Sequence, residues 1–187
     1  MYYFTILALC TILHNLPRNV TLTSIHLMFS ASHFRLCIMN PSLILAPQLK
    51  PGAITGNGLP WFARVVKGDA MNQQIPNDSM SIIHCEDLAK LQVLCAFPNL
   101  ESKEAGLPSG RYFAVNRSWA WEDIFDTIKV RKPGFCIPPK NYETLNPVTT
   151  FDNTRRDQLG LESMENLSQI LDDTITYLEQ NGHLNPN

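Results

Sequence analysis

His84-Cys85-Glu86-Asp87 is the one place in this sequence where a histidine and two carboxylates stand together, just after a short apolar run. A His–carboxylate pair there could relay a proton. The expected role is quieter: a histidine that holds a strand-to-helix turn by hydrogen bonds. Arg155 and Arg156, inside Asp152 to Asp157, could clamp a phosphate. Capping of a short helix by Asp152 or Thr154, with solvated arginines, is the expectation instead. The histidines, His14, His26, His33, His84 and His183, lack metal-ligand spacing with any acid or thiol. The cysteines, Cys10, Cys37, Cys85, Cys95 and Cys136, are odd in number, widely spaced and form no C-x-x-C pair. Neither a disulfide framework nor a zinc knuckle is expected, and a reducing compartment fits best.

Several common constellations are absent. The sequence holds no G-x-x-x-x-G-K-[ST] loop, no G-x-S-x-G elbow and no H-E-x-x-H helix. Gly52, Gly56 and Gly58 are clustered without G-x-G-x-x-G spacing, so they are expected to bend a loop. Asn-x-Ser/Thr triplets at Asn19, Asn77, Asn116 and Asn166 are read as incidental. The net charge of −2 offers no electrostatic reason for a nucleic-acid partner. A hydrophobic fraction of 44% supports a real core, and 17% charged residues argue against a disordered tail.

The elements that would position these groups follow from periodicity and punctuation. Phe34 to Asn40 and then Ser42 to Leu45 form an apolar run interrupted by Pro41, expected as a strand buried on both faces. Ala46 to Pro60 is a Pro- and Gly-rich loop, and Trp61 to Lys67 has helical spacing that stops at Gly68. Met80 to Ile83 reads as a short strand, Glu86 to Phe97 as a helix with acids in its first turn, and Pro98 to Gly110 as a surface connection. Arg111 to Val115 is a second strand. Ser118 is the expected N-cap of a helix through Lys129 that buries Trp121, Ile124, Phe125 and Ile128. Arg131 to Pro147 carries four prolines and must be irregular. A last helix, capped by Ser163 and ended by Gly182, carries the stripe Leu167, Ile170, Leu171, Thr174 and Leu178. Alternation of strand and helix argues for an α/β layer protein. Met1 to Leu13 is apolar but short for a membrane span, and a buried element or sequence foreign to the fold is expected there.

Three motifs speak together: Asn40-Pro41-Ser42-Leu43-Ile44-Leu45-Ala46-Pro47, then Ile83-His84-Cys85-Glu86-Asp87-Leu88-Ala89, then Ser109-Gly110-Arg111-Tyr112. In that order they resemble the dihydroflavonol reductase and cinnamoyl-CoA reductase group of extended short-chain dehydrogenases, within the NAD-dependent epimerase/dehydratase superfamily. That group reads N-P-x-x-[IV]-[LV]-G-P, H-V-D-D-V-A and G-R-Y. Trp119-Ala120-Trp121, Phe151-Asp152 and Leu159-Gly160 also look like its carboxy-terminal region. The resemblance covers roughly Arg35 to Leu184. It divides the chain into an atypical apolar segment, 1–34, and the carboxy-terminal part of a reductase, 35–187.

The resemblance implies an α/β fold: a partial Rossmann-type parallel sheet with a small α/β substrate-binding region. Ligands would sit at the carboxyl ends of the strands. Asn40, Pro41, Ser42 and Leu43 would then bind the nicotinamide end of NADP or NAD. Gln48, Trp61 and Phe62 would border the substrate, a small-molecule carbonyl or alcohol. His84 and Asp87 would join the substrate region to the sheet. Ala46 stands where the group has glycine. No match to the family's phosphate-binding glycine motif is present. The catalytic Tyr-x-x-x-Lys pair is also missing, because none of Tyr2, Tyr3, Tyr112, Tyr142 and Tyr177 has lysine four residues on. Asn19 to Ser24 faintly resembles the strand that ends in the catalytic serine. The expectation is therefore a cytoplasmic, truncated oxidoreductase that is inactive alone. The alternative is a non-catalytic module that pairs with a full-length relative, as a homo- or hetero-oligomer formed through an exposed sheet edge.

Overall fold

The computed structural model describes residues 36–49, 52–69, 74–97, 108–161 and 163–185. The expectations for residues 1–34, including the strand over Asn19 to Ser24, lie outside the described residues, as do residues 98–107 of the surface connection. The described elements are β1 Cys37–Pro41, β2 Leu43–Leu45, α1 Gly58–Lys67, β3 Ser79–His84, α2 Cys85–Ala96, β4 Gly110–Ala114, β5 Arg117–Ala120, α3 Trp121–Arg131, α4 Thr154–Asp157 and α5 Leu167–Gln180. They fall into two compact units.

The smaller unit comprises residues 36–40, 89–97, 108–114 and 152–161. Its two-stranded sheet pairs β1 with β4. Gly110 N–H donates to the Leu36 carbonyl at 2.7 Å, and the Asn40 side-chain amide donates to the Tyr112 carbonyl at 3.3 Å. Leu91, Cys95, Tyr112 and Ala114 are its buried residues.

The larger unit comprises residues 41–49, 52–69, 74–88, 115–151 and 163–185. Its sheet runs β2-β3-β5, parallel between β2 and β3 and antiparallel between β3 and β5. Leu43, Ile44 and Leu45 sit opposite Ile82, Ile83 and His84. Helix α1 buries Leu59, Phe62, Ala63, Val65 and Val66, and ends where Gly68 takes φ 79°. That left-handed turn is cheap only for glycine, and it lets the Gly68 and Asp69 amides close on the Val65 and Arg64 carbonyls. Helix α3 buries Trp121, Ile124, Phe125 and Ile128, as their spacing predicts, and α5 buries the whole expected stripe. These faces meet in one core with Leu45, Ile82, Trp119 and Phe135.

Three expectations of the fold are corrected. The apolar run around Pro41 is not buried on both faces. It splits at Ser42 into β1, half-buried and then exposed, and β2, which joins the other sheet. Proline carries no N–H for a ladder, so pairing changes there. Ser118 does not cap α3; it lies within β5, where its hydroxyl and that of Ser81 are 2.8 Å apart. Ser163 does not cap α5. Asn166 does, its Oδ1 accepting the Gln169 N–H at 2.9 Å. Arg155 is exposed, as expected, and its guanidinium also donates to backbone carbonyls of the smaller unit.

Candidate functional site

The residues assigned to cofactor contact lie where β1 ends and β2 begins. Asn40 and Pro41 close β1, Ser42 belongs to neither strand, and Leu43 opens β2 opposite Ile82. Asn40, Pro41 and Ser42 are exposed, and Leu43 is half-buried against the core of the larger unit. Pro41 and Ser42 stand at the carboxyl end of β1, and open α/β sheets bind ligands outside the carboxyl ends of their strands. Helix α1 starts against this strand: a Cβ on Gly58 would stand 3.0 Å from the Ile44 carbonyl oxygen and 3.4 Å from Leu43 Cδ1. Glycine at the first turn of α1 is therefore needed for close helix–strand packing.

The loop after β2 is closed by its own side chains. Gln48 Nε2 donates to both the carbonyl and the hydroxyl of Thr55, each at 3.1 Å. A ring nitrogen of His183 lies 2.8 Å from the Gly52 carbonyl. Trp61, half-buried, meets Trp121 edge-on at 5.8 Å between ring centroids. Phe62 is 1% exposed and belongs to the core. Of the three residues expected to border a substrate, Gln48 and Trp61 keep accessible surface, while Phe62 belongs to the core against which Trp61 packs.

His84 and Asp87 act on α5. His84 is buried; its Nδ1 accepts the Glu86 backbone N–H at 3.3 Å, and its Nε2 stands 3.7 Å from the Asp173 carboxylate. Asp87 is fully buried and accepts the Glu165 N–H at 2.8 Å. The Asn116 amide donates to the carbonyl of the same residue. The strand-to-helix turn and the start of α5 are therefore stitched together, which is the structural role expected of this histidine.

The smaller unit holds a cluster that the motifs do not announce. Arg155 donates to the Ser109 carbonyl at 2.6 Å and the Arg111 carbonyl at 3.1 Å, and its guanidinium lies 5.0 Å from the centre of the Tyr112 ring. Tyr112 closes the ring of contacts by accepting the Ser109 N–H at 2.9 Å. Gly110, at φ 81°, makes room: its Cβ would stand 3.2 Å from an Arg155 nitrogen. Arg156 pairs with Asp157 at 2.6 Å. These contacts engage both arginines of Asp152 to Asp157, with Arg155 exposed and Arg156 half-buried. Asp152 does not cap α4, whose N-cap is Asn153 without a side-chain capping bond; Asp152 accepts the Thr154 N–H at 3.0 Å, and its pKa is lowered by the Thr154 hydroxyl first and this N–H second.

Electrostatics argue against a phenol or thiol poised for chemistry here. Burial pushes the Tyr112 hydroxyl up, against an opposing hydrogen bond from Ser109. Burial also pushes Tyr142 up, aided by its carboxylate neighbour Glu122. A carbonyl-protonating tyrosine needs the opposite, a neighbouring cation that lowers its pKa. Lys140 does stand 4.8 Å above the Tyr142 ring, but its ammonium is committed to Glu122 at 2.6 Å. The Cys85 thiol is raised by burial and by Glu86. Among the described residues no His/Cys/Asp/Glu group could hold a metal, and no helix is long and apolar enough to cross a membrane. For a dinucleotide, the described residues offer an exposed backbone turn at Pro41 and Ser42; a glycine-rich phosphate cradle is not among them.

Comparison with known proteins bears on this arrangement. No family model matches the sequence. The chain is 26% identical over 151 residues to tetraketide alpha-pyrone reductase 2 of Arabidopsis thaliana, a match covering 80% of this chain and 44% of that protein. It is 27% identical over 154 residues to cinnamoyl-CoA reductase 1 of the same plant, covering 81% of this chain and 41% of the relative. The chain thus spans less than half the length of the curated relatives it matches. Yeast methylglyoxal/isovaleraldehyde reductase, solved with NADPH, superposes with a TM-score of 0.63 at 19% identity, over 87% of this chain and 51% of that one. Alfalfa vestitone reductase superposes with a TM-score of 0.61 at 14% identity, over 87% and 50%. By fold the chain is part of a Rossmann-type α/β scaffold, and by sequence it is a relative of the carboxy-terminal half of these plant reductases.

Proposed function

We propose that this chain supplies the cofactor turn and the substrate side of an NAD(P)H-dependent oxidoreductase that acts on the carbonyl or alcohol group of a small molecule. The observation that carries the reading is the likeness to two plant reductases across about four-fifths of the chain. The backbone of Asn40, Pro41, Ser42 and Leu43 lies against the nicotinamide end of NADP or NAD. Gln48 and Trp61 border the substrate, and Phe62 fixes Trp61 from within the core. When bound, the cofactor supplies the hydride; the chain's own part is to position and enclose it. By themselves these 187 residues do not reduce a carbonyl, because no tyrosine in the sequence has a lysine four residues on. The working compartment is the cytoplasm.

The test is the native polypeptide, captured from source tissue with an antibody against α5, weighed by immunoblot and assayed for NADPH and NADH oxidation with small aldehydes and ketones. A polypeptide much heavier than this chain that turns over cofactor supports the reading. A species of this chain's own mass that oxidises cofactor contradicts it.

A second reading is a non-catalytic module that docks on a full-length relative through a sheet edge. It is favoured by the two-stranded sheet of the smaller unit, in which β4 is the one described neighbour of β1. It predicts a species of this chain's own mass that lacks turnover and co-purifies with a reductase.

A further inference from the structure

The sequence contains two Asn-Gly dipeptides, Asn57-Gly58 and Asn181-Gly182. We propose that the fold makes Asn57 a site of spontaneous deamidation and shields Asn181 from it. The chemistry needs no enzyme and no oxidant. The backbone nitrogen of the following residue attacks the asparagine Cγ, and a new C–N bond closes a five-membered succinimide. The Cγ–Nδ2 bond breaks, and ammonia leaves, the proton it gains from solvent balancing the one the attacking backbone nitrogen gives up to solvent. Water then opens the ring at either carbonyl to give aspartate or isoaspartate, so the net change is hydrolysis of one side-chain amide. Glycine in the following position leaves the attacking nitrogen least obstructed.

At Asn181 both reacting groups are engaged. The Gly182 N–H donates to the Glu179 carbonyl at 3.1 Å, and Asn181 Nδ2 donates to the Tyr177 carbonyl at 2.9 Å. The next two amides, of His183 and Leu184, close on the Leu178 carbonyl at 2.8 and 3.1 Å, which fixes the turn beyond α5. Attack would have to break this C-terminal lock.

At Asn57 neither reacting group is held. The residue is exposed, and its side chain makes no capping bond, although it occupies the N-cap of α1. Gly58 is the first residue of that helix, so its N–H has no acceptor within the helix. The backbone at Asn57, φ −100° and ψ −30°, must rotate about ψ before the nitrogen faces Cγ. The intrahelical bond opposing that rotation is Trp61 N–H to the Asn57 carbonyl, long at 3.3 Å.

The two products differ in consequence. Aspartate at an N-cap is as good as asparagine, and its charge suits the helix dipole. Isoaspartate lengthens the main chain by one atom beside Gly58, where a Cβ would already stand 3.0 Å from the Ile44 oxygen. The start of α1 must then shift, carrying Trp61 with it.

The full chain, aged in mildly alkaline buffer and in parallel in concentrated urea, tests this by peptide mass mapping and isoaspartyl-methyltransferase labelling. In buffer, the Asn57 peptide should gain one mass unit several-fold faster than the Asn181 peptide; in urea the two rates should converge. Asn57→Gln should abolish the labelling seen in buffer. Equal or faster conversion of Asn181 in buffer overturns the proposal. So does a chain in which neither site changes in buffer while both change in urea.

Discussion

The fully buried carboxylate of Asp87, in the first turn of α2, accepts the backbone N–H of Glu165 at 2.8 Å, one residue before the cap of α5. A helix that packs through Ile170, Leu171, Ile175 and Leu178 is thereby given a fixed starting point on the end of β3. Replacing Asp87 by alanine leaves the half-buried Glu165 N–H without this acceptor and should cost about 2 kcal/mol, the range for hydrogen bonds to charged groups. Asp87→Asn, which keeps a side-chain oxygen, should lose distinctly less. Urea unfolding of the three proteins measures both.

The cap of α5 gives a sharper contrast. Asn166→Ala removes the acceptor of the Gln169 N–H and should cost about 1 kcal/mol. Ser163→Ala should leave the unfolding midpoint unchanged. Equal losses in the two variants would contradict the assignment of the cap.

Gly110 makes room for Arg155. At φ 81° with an arginine nitrogen 3.2 Å from where its Cβ would be, Gly110→Ala should destabilise by about 1–2 kcal/mol from backbone strain alone. Gly134 has open space around it and an ordinary φ, so Gly134→Ala should be neutral or slightly stabilising. Thermal denaturation of the pair separates the two cases.

Glu122 ties the stability of the larger unit to acid. Its carboxyl is held below the usual glutamate range by the Lys140 ammonium first and the Tyr142 hydroxyl second. The Lys140 ammonium lies 2.6 Å from Glu122 Oε1. A carboxylate with a depressed folded pKa contributes stability that is present above its unfolded value and is lost as pH falls through the folded value. Stability should therefore decline below the ordinary carboxylate range. Glu122→Gln should flatten that decline while changing little under alkaline conditions, and a pH series of urea midpoints reads it.

Much of the fold was legible in the sequence because apolar spacing records burial directly. The stripe of α5, the buried face of α3 and the stop of α1 at Gly68 all follow from residue types at fixed intervals. Helix caps were less legible. Ser118, Ser163 and Asn166 are all competent cap residues, and the choice depends on where the chain enters each helix. Pro41 showed that something changes after Asn40, but not that the two sides would join different sheets, since strand partners are distant in sequence. The site divides likewise. The break between strands falls within Asn40 to Leu43 and a loop follows at Gln48, as the Pro and Gly punctuation of these segments predicts. The Arg155 clasp on Ser109, Arg111 and Tyr112 was hidden, because an Arg-Arg pair beside acids carries no sign of a backbone partner more than forty residues away.

The central claim is that the Pro41 turn meets the nicotinamide of a reductase. Hydrogen exchange of the native polypeptide, with and without NADPH or NADH, tests it most directly. Cofactor should slow exchange at the Ser42 and Leu43 amides while leaving the amides of α5 unaffected. Cofactor binding that leaves Ser42 and Leu43 unchanged, or a native polypeptide that binds neither dinucleotide, would contradict it.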